Sequence, residues 1–197
     1  MNRLYRFVYR ILAPILRGMF HLDIRGLETL PSGGVLLCPN HSSNWDPILM
    51  LAALPIDYRL HSMAKDSLFR IPVLKTIIRH FGGFPVARGQ SDLQAVKTAL
   101  KVIKDGDNLL VFPEGTRVAR EGEVRAKGGV AMIATRAGAT IIPVFISRDK
   151  KLFRKTKIIF GEAYEPVYAG RKPTAEETQA IADEILERAY ALGREKA

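Results

Sequence analysis

Short, β-prone apolar runs at residues 35–38, 58–63, 84–86, 109–112, 141–146 and 157–160 alternate along this chain with helical periodicity at 47–54, 72–81, 92–104, 130–137 and 175–192. Such alternation predicts an α/β sheet covered by helices. Helix ends are marked chemically: Ser91 with Gln94, and Thr174 with Glu177, have the spacing of a capping box, and Gly82, Gly106 and Gly138 sit where C-terminal caps belong. With 197 residues and no linker, repeat or low-complexity tract, a single core is expected.

The first twenty residues follow a different pattern. At about 100° per residue, Arg3, Arg6, Arg10 and Arg17 fall within roughly 60° of one another, while Leu4, Phe7, Val8, Ile11, Leu12, Ile15 and Met19 spread over the other side. A basic amphipathic helix over 1–21 is therefore predicted ahead of the domain at 22–197. Its apolar face has two destinations, the domain's own core or a lipid surface. The terminal position, the aromatic residues Tyr5, Phe7, Tyr9 and Phe20, and arginine as the only charged type favour an anionic membrane surface for residues 2–20. Pro14 is expected to kink the helix.

The arginines also interrupt what would be the apolar core of a secretory signal, and the longest uninterrupted apolar runs, 11–16 and 48–56, fall well short of the roughly 20 residues of a membrane span. The expected location is the cytoplasmic face of a membrane. A single cysteine, Cys38, excludes an internal disulfide and a multi-thiolate zinc site, consistent with a reducing compartment. The net charge of +10 is concentrated before Thr174, since six acidic residues oppose three basic ones from there onward. A basic body prefers anionic partners. Nucleic acid is disfavoured because the aromatic residues gather in the terminal helix and the strands instead of interleaving with basic residues.

The run 35–38 passes directly into Pro39-Asn40-His41-Ser42-Ser43-Asn44-Trp45-Asp46-Pro47, and ligand sites in α/β sheets favour the carboxyl ends of strands. His41 and Asp46 meet only if a turn folds Asp46 back. Asp46-Pro47 makes an N-cap and first-turn pair that permits it, and a plain helix cap is the alternative role for Asp46. If the carboxylate reaches the imidazole, it fixes the tautomer and leaves His41 as a general base. The stretch 113–129, about 17 residues rich in Gly, Pro and charge, is long for a connection and is expected to contact substrate.

Asn40-His41 followed by four residues and then Asp46 resembles the first motif of the glycerolipid acyltransferase family. Gly83-Phe84-Pro85-Val86-Ala87-Arg88 resembles its second, Phe112-Pro113-Glu114-Gly115-Thr116-Arg117 its third and Ile141-Ile142-Pro143-Val144 its fourth, in the same order. Val118, Pro85 and Ala87 depart from the family's usual residues. The resemblance implies a single-domain mixed sheet flanked by helices, like that of glycerol-3-phosphate acyltransferase. It also implies transfer of an acyl chain from acyl-CoA or acyl carrier protein to the sn-2 hydroxyl of lysophosphatidic acid, giving phosphatidic acid. A related lysophospholipid or glycerol phosphate acceptor stays open.

Under that resemblance His41 is the base and Asp46 its orienter. Arg88 and Arg117 carry guanidinium forks suited to a phosphate monoester, with a surface ion pair as the alternative. Glu114, beside Gly115, is expected at a glycerol hydroxyl or in a salt bridge with Arg117, and Thr116 near the substrate. Lys127 resembles the lysine of a lysine-glycine pair after the third motif, and Lys65 occupies a family-like position before the second. Neither a metal site nor a cofactor is indicated. Cys38, three residues before His41, reads as a buried small hydrophobe and not a nucleophile, and with no Gly-x-Ser-x-Gly elbow direct attack by the acceptor hydroxyl is the expected chemistry.

Overall fold

The computed structural model describes residues 3–87 and 92–195. Among these, seven strands form one sheet in the order β1-β7-β6-β2-β5-β3-β4. They are β1 (Leu22–Arg25), β2 (Val35–Pro39), β3 (Leu60–Lys65), β4 (Gly83–Val86), β5 (Asn108–Leu110), β6 (Thr140–Ile146) and β7 (Thr156–Phe160). The helices are α1 (Arg3–Met19), α2 (Asp46–Ala53), α3 (Pro72–His80), α4 (Leu93–Lys104), α5 (Gly129–Ala137) and α6 (Ala175–Glu195). Neighbouring strands are parallel except β6 and β7, so the sheet is mixed, as the resemblance implied.

β2 occupies the middle of the sheet, between β6 and β5, and every one of its residues is buried. Its side chains alternate between two cores. Val35 and Leu37 pack with Leu49, Met50 and Ala53 of α2, whereas Leu36 and Cys38 pack with Ala99 of α4, Ala131 of α5 and Ile185 of α6. A strand covered on both faces needs apolar residues at every position, which is why 35–38 reads as a continuous run and not an alternating one. The carboxyl ends of β2, β3, β4, β5 and β6 all emerge on one edge of the sheet.

The sequence expectation differs from the structure in a few places, each with a local cause. β1 is absent from it because Leu-Asp-Ile-Arg is short and half polar; as an edge strand it needs an apolar partner on one face only. β5 ends at Leu110; Val111 N–H still donates to the Leu37 carbonyl, and Phe112 beyond it reaches the site described below. Gly82, at φ +78°, turns α3 into β4 so closely that a Cβ would lie 2.5 Å from the Leu60 carbonyl oxygen. The Thr174 and Glu177 capping box forms, with Glu177 N–H donating to Thr174 Oγ1 and Thr174 N–H to Glu177 Oε2. Ser91 lies outside the described residues, and Asp92 caps α4 by accepting from Ala95 N–H.

Helix α1 runs through Pro14 from Arg3 to Met19 and has two apolar faces with different fates. Tyr5, Tyr9, Ala13 and Leu16, at helical spacing, are buried in the core shared with α2. Leu4, Phe7, Ile11, Leu12 and Ile15 lie on the other side and stay exposed, Phe7 to 63%. The arginines also divide. Arg17, expected on the basic side with Arg3, Arg6 and Arg10 as a contact for lipid phosphates, turns back to donate to the Ala52, Ala53 and Leu54 carbonyls at the end of α2, where a cation offsets the helix dipole. Tyr9 Oη donates to the Leu54 carbonyl as well.

The two faces should respond differently to substitution. Leu16→Ala is expected to cost about 2 to 5 kcal/mol and Arg17→Ala about 1 to 2 kcal/mol, whereas Ile11→Ser should stay within about 0.5 kcal/mol of the native protein. Urea unfolding of the three variants measures this, and a large loss for Ile11→Ser would mean that the outer face is not free.

Candidate active site

The site begins where β2 runs out of ladder partners. Asn40 is fully buried, and its side-chain amide exchanges two hydrogen bonds with the backbone of Ile146, Nδ2 to the carbonyl at 3.0 Å and Oδ1 from the N–H at 2.7 Å. This pairing clamps the end of β2 to the end of β6. The chain then turns. Ser42 and Ser43 N–H both donate to Asp46 Oδ2, at 2.7 and 2.8 Å, so the carboxylate itself holds the turn that brings it back. Asp46 is the first residue of α2 and not its cap; Trp45 stands at the cap position and makes no side-chain capping bond.

With the turn closed, His41 Nδ1 lies 2.8 Å from Asp46 Oδ2. The ring stacks on Phe112, centroids 3.9 Å apart, and is almost buried. Engagement of Nδ1 leaves Nε2 as the ring nitrogen able to take a proton from a ligand. The other carboxylate oxygen of Asp46 is occupied by a residue the sequence did not single out: Lys150 Nζ lies 2.7 Å from Oδ1 and also donates to Ser42 Oγ at 2.6 Å. Burial works to raise the Asp46 carboxyl, but the His41 hydrogen bond and the Lys150 charge outweigh it and hold it below the usual carboxylate range. Burial likewise pulls the Lys150 ammonium down, against the opposing effect of Asp46.

Glu114 does not lie where the sequence placed it. Expected at a glycerol hydroxyl or in a salt bridge with Arg117, it is fully buried, and both its oxygens are taken within the protein. Oε2 accepts from the His41 backbone N–H, and Oε1 from Tyr190 Oη of α6. Arg148 bridges this group by donating to Tyr190 Oη at 3.0 Å and to the Val118 carbonyl at 3.2 Å, while Val118 N–H donates to the His41 carbonyl. Burial pushes the Glu114 carboxyl up, its bond to Tyr190 pulling the other way. Glu114 thus anchors the backbone of His41, and its carboxylate faces inward and away from the open edge.

The remaining predicted residues that the structure describes lie in the segment after β5 and at the end of β3, on the same edge of the sheet. Gly115 has φ +67°, and the stem of Lys127 crosses it so closely that a Cβ would lie 2.9 Å from Lys127 Cγ. Lys127 N–H donates to the Pro113 carbonyl, folding the 113–129 stretch back on itself. Thr116 and Arg117 are exposed, and Arg117 donates to Asn44 Oδ1 at 2.9 Å, which ties it to the turn carrying His41 and Asp46. Lys65 is exposed at the end of β3, in register with Val86 of β4. Arg88 lies outside the described residues. Cys38 is completely buried in the core on the α4–α6 side, and burial pushes its thiol up, which makes it a poor nucleophile.

Lys150, Tyr190 and Arg148 were not singled out by the sequence, and Phe112 entered only as the first residue of the third motif, with no role assigned. Lys150 sits in an Arg-Asp-Lys-Lys run that reads as solvated charge, and its one distinguishing mark is its place just past β6, on the edge that carries the site. Tyr190 lies in the buried stripe of α6 and resembles any core aromatic.

Residues 21–147 match the sequence pattern of the acyltransferase family. The chain is 29% identical over 192 residues to 1-acyl-sn-glycerol-3-phosphate acyltransferase of Bacillus subtilis, the match covering 94% of each chain. It is 32% identical over 142 residues to the protein of the same name from Borreliella burgdorferi, covering 70% of this chain and 55% of that one. In architecture it is similar to the crystal structure of the 1-acyl-sn-glycerophosphate (LPA) acyltransferase PlsC of Thermotoga maritima, with a TM-score of 0.71, 24% identity, and 98% of this chain and 81% of that one covered. The chain belongs to the acyltransferase family.

The two buried carboxylates should give stability opposite pH dependences. Asp46, held low in the folded state, contributes stability that is present above about pH 4 and is lost as pH falls through the lower folded value. Glu114, held high, contributes stability that is present below its unfolded value and is lost as pH rises through the folded one. Urea unfolding across acidic pH should therefore show the native advantage over Asp46→Asn shrinking as pH falls, and that over Glu114→Gln growing. Parallel curves for both variants would contradict the geometry.

Proposed function

We propose that this acyltransferase moves an acyl chain from a thioester donor, acyl-CoA or acyl carrier protein, to the sn-2 hydroxyl of 1-acyl-sn-glycerol-3-phosphate, yielding phosphatidic acid and the free thiol. The observation that carries the reading is the 2.8 Å contact of His41 Nδ1 with Asp46, which points the reactive Nε2 away from the buried carboxylate. His41 takes the proton of the acceptor hydroxyl as its oxygen attacks the thioester carbonyl. The new C–O bond forms, the C–S bond breaks, and the leaving thiolate recovers the proton from His41. General-base assistance of this kind contributes about 10²- to 10⁴-fold, and holding donor and acceptor in line supplies much of the rest.

The phosphate is read onto Arg117 and Lys127, exposed and tied to the dyad's turn and to Gly115, with Lys65 at the end of β3 and, from the resemblance alone, Arg88 as further ligands. Thr116 is placed near the glycerol. The shared carboxyl edge of the parallel strands supports this grouping. Glu114 serves the reaction by fixing His41 instead of touching glycerol.

The acceptor is a membrane lipid, and the outer face of α1 supplies a way to meet it. Leu4, Phe7, Ile11, Leu12 and Ile15 are exposed along one side, with Arg3, Arg6 and Arg10 at its flank. The end of α3 lies alongside, Phe81 5.4 Å from Tyr5 between ring centroids, and α3 exposes Val73 and Ile77. Residues 1–21 are proposed to lie in the anionic cytoplasmic face of a membrane with this side down. Among the described residues no helix is long and apolar enough to cross a membrane.

Two measurements test the reading. Arg117→Ala should lower kcat/KM for 1-acyl-sn-glycerol-3-phosphate roughly tenfold or more, as loss of a charge-assisted contact does, and leave an acceptor without phosphate nearly unaffected. Equal losses on both acceptors would assign Arg117 to holding the loop. The triple variant Phe7→Ser, Ile11→Ser, Ile15→Ser should no longer float with vesicles of phosphatidylglycerol and phosphatidylethanolamine, while keeping activity on detergent-dispersed acceptor. Undiminished flotation would remove α1 from the membrane interface.

A further inference from the structure

A lysine ammonium with 2% side-chain exposure is costly to bury, and Lys150 is buried against a single carboxylate. That carboxylate is the one that orients His41. Asp46 Oδ2 receives His41 Nδ1 and the N–H groups of Ser42 and Ser43, and Oδ1 faces Lys150 Nζ. Lys150 also donates to Ser42 Oγ, so it grips the turn at two points. Its own segment is fixed in turn, since Phe153 N–H donates to the Met19 carbonyl at the end of α1 and Lys157 N–H to Ser147 Oγ.

We propose that Lys150 is a positioning residue for the acyl transfer read above: through Asp46 it fixes the orientation of His41, and its charge offsets that of the carboxylate facing the ring. The inference rests on that functional reading only for its consequence, not for its geometry. An imidazole beside a lone buried carboxylate is favoured as the cation. A cation cannot act as a base, so a dyad that must start by taking a proton gains from a second positive charge on the far side of the carboxylate. The other groups facing His41 are already paired. Glu114, from the segment after β5, is bonded to the His41 N–H and to Tyr190 of α6, which in turn accepts from Arg148. Arg117 donates to Asn44 in the turn before α2. Glu114 is thus linked to Arg148 through Tyr190, whereas Asp46 has Lys150 as its direct cation, and removing Lys150 leaves the Asp46 charge uncompensated.

The test reads the His41 ring directly. With histidine labelled isotopically in the full chain, NMR follows the pH at which the His41 signals change in the native protein, Lys150→Met and Lys150→Arg, and steady-state assays give the acid limb of kcat/KM for the same proteins. In Lys150→Met both should move to higher pH, on the order of one to two units for a unit charge across one carboxylate at an effective dielectric near 20. Activity should then fall more than tenfold at low pH and recover largely at high pH. Lys150→Arg should return both curves toward native, with KM for the acceptor little changed.

A purely structural lysine would lower the rate equally at all pH values without moving the ring's titration, and that result, or a shift to lower pH, overturns the proposal. If Lys150→Met does not fold, Lys150→Gln, which can still donate to Asp46 but carries no charge, gives the same readout. Loss of the ammonium should again raise the ring's midpoint, and no movement there also overturns it. Because the titration needs no substrate, absence of acyl transfer with the shift intact would reject the functional reading alone.

Discussion

The carboxylate of Asp46 is the point on which the site depends. It closes the turn after β2 through two backbone N–H groups, orients the His41 ring and neutralises a buried ammonium. These tasks coincide because the group is buried. In a low-dielectric setting a charge persists only if its hydrogen-bonding capacity is filled, and here each filled position does structural work for a neighbour. The cost of burying the charge is therefore met by the same contacts that position the base.

The sheet makes this arrangement available. Central β2, covered on both faces, delivers His41 to the carboxyl edge at a fixed height, and Asn40 extends its hold on β6 by one residue with side-chain bonds where the ladder stops. From the other side Glu114 grips the His41 backbone and is itself held by Tyr190 and Arg148. Main chain and ring of His41 are thus restrained by different elements, α6 with the segment after β5 for one, α2 with the segment after β6 for the other. A general base held this way loses little freedom on meeting its substrate.

The terminal helix shows how one element serves two solvents. Tyr5, Tyr9, Ala13 and Leu16 make α1 part of the core, and Arg17 completes the end of α2, so the helix is integral to the domain. Its outer stripe stays exposed because the core is already covered by the inner one. The apolar face read from the sequence left out Tyr5, Tyr9, Ala13 and Leu16, the stripe that the core takes. The periodicity was there, but a helical wheel carries no information on which side meets the sheet.

Much was fixed along the chain. The alternation of short apolar runs with helical patterns determines an α/β sheet, the all-apolar run 35–38 determines a strand covered on both faces, and the order of the four motifs points to the acyltransferase family; these are local properties that each segment carries by itself. The tertiary structure alone decided the partners. Glu114 beside a turn glycine reads as a substrate contact until α6 brings Tyr190 to it from 76 residues away. Lys150 reads as solvated charge until β6 delivers it to Asp46, and Arg17 as a lipid contact until α2 ends beneath it. Whether a charged side chain meets water or a buried partner depends on contacts distant in sequence, and neither composition nor spacing records them.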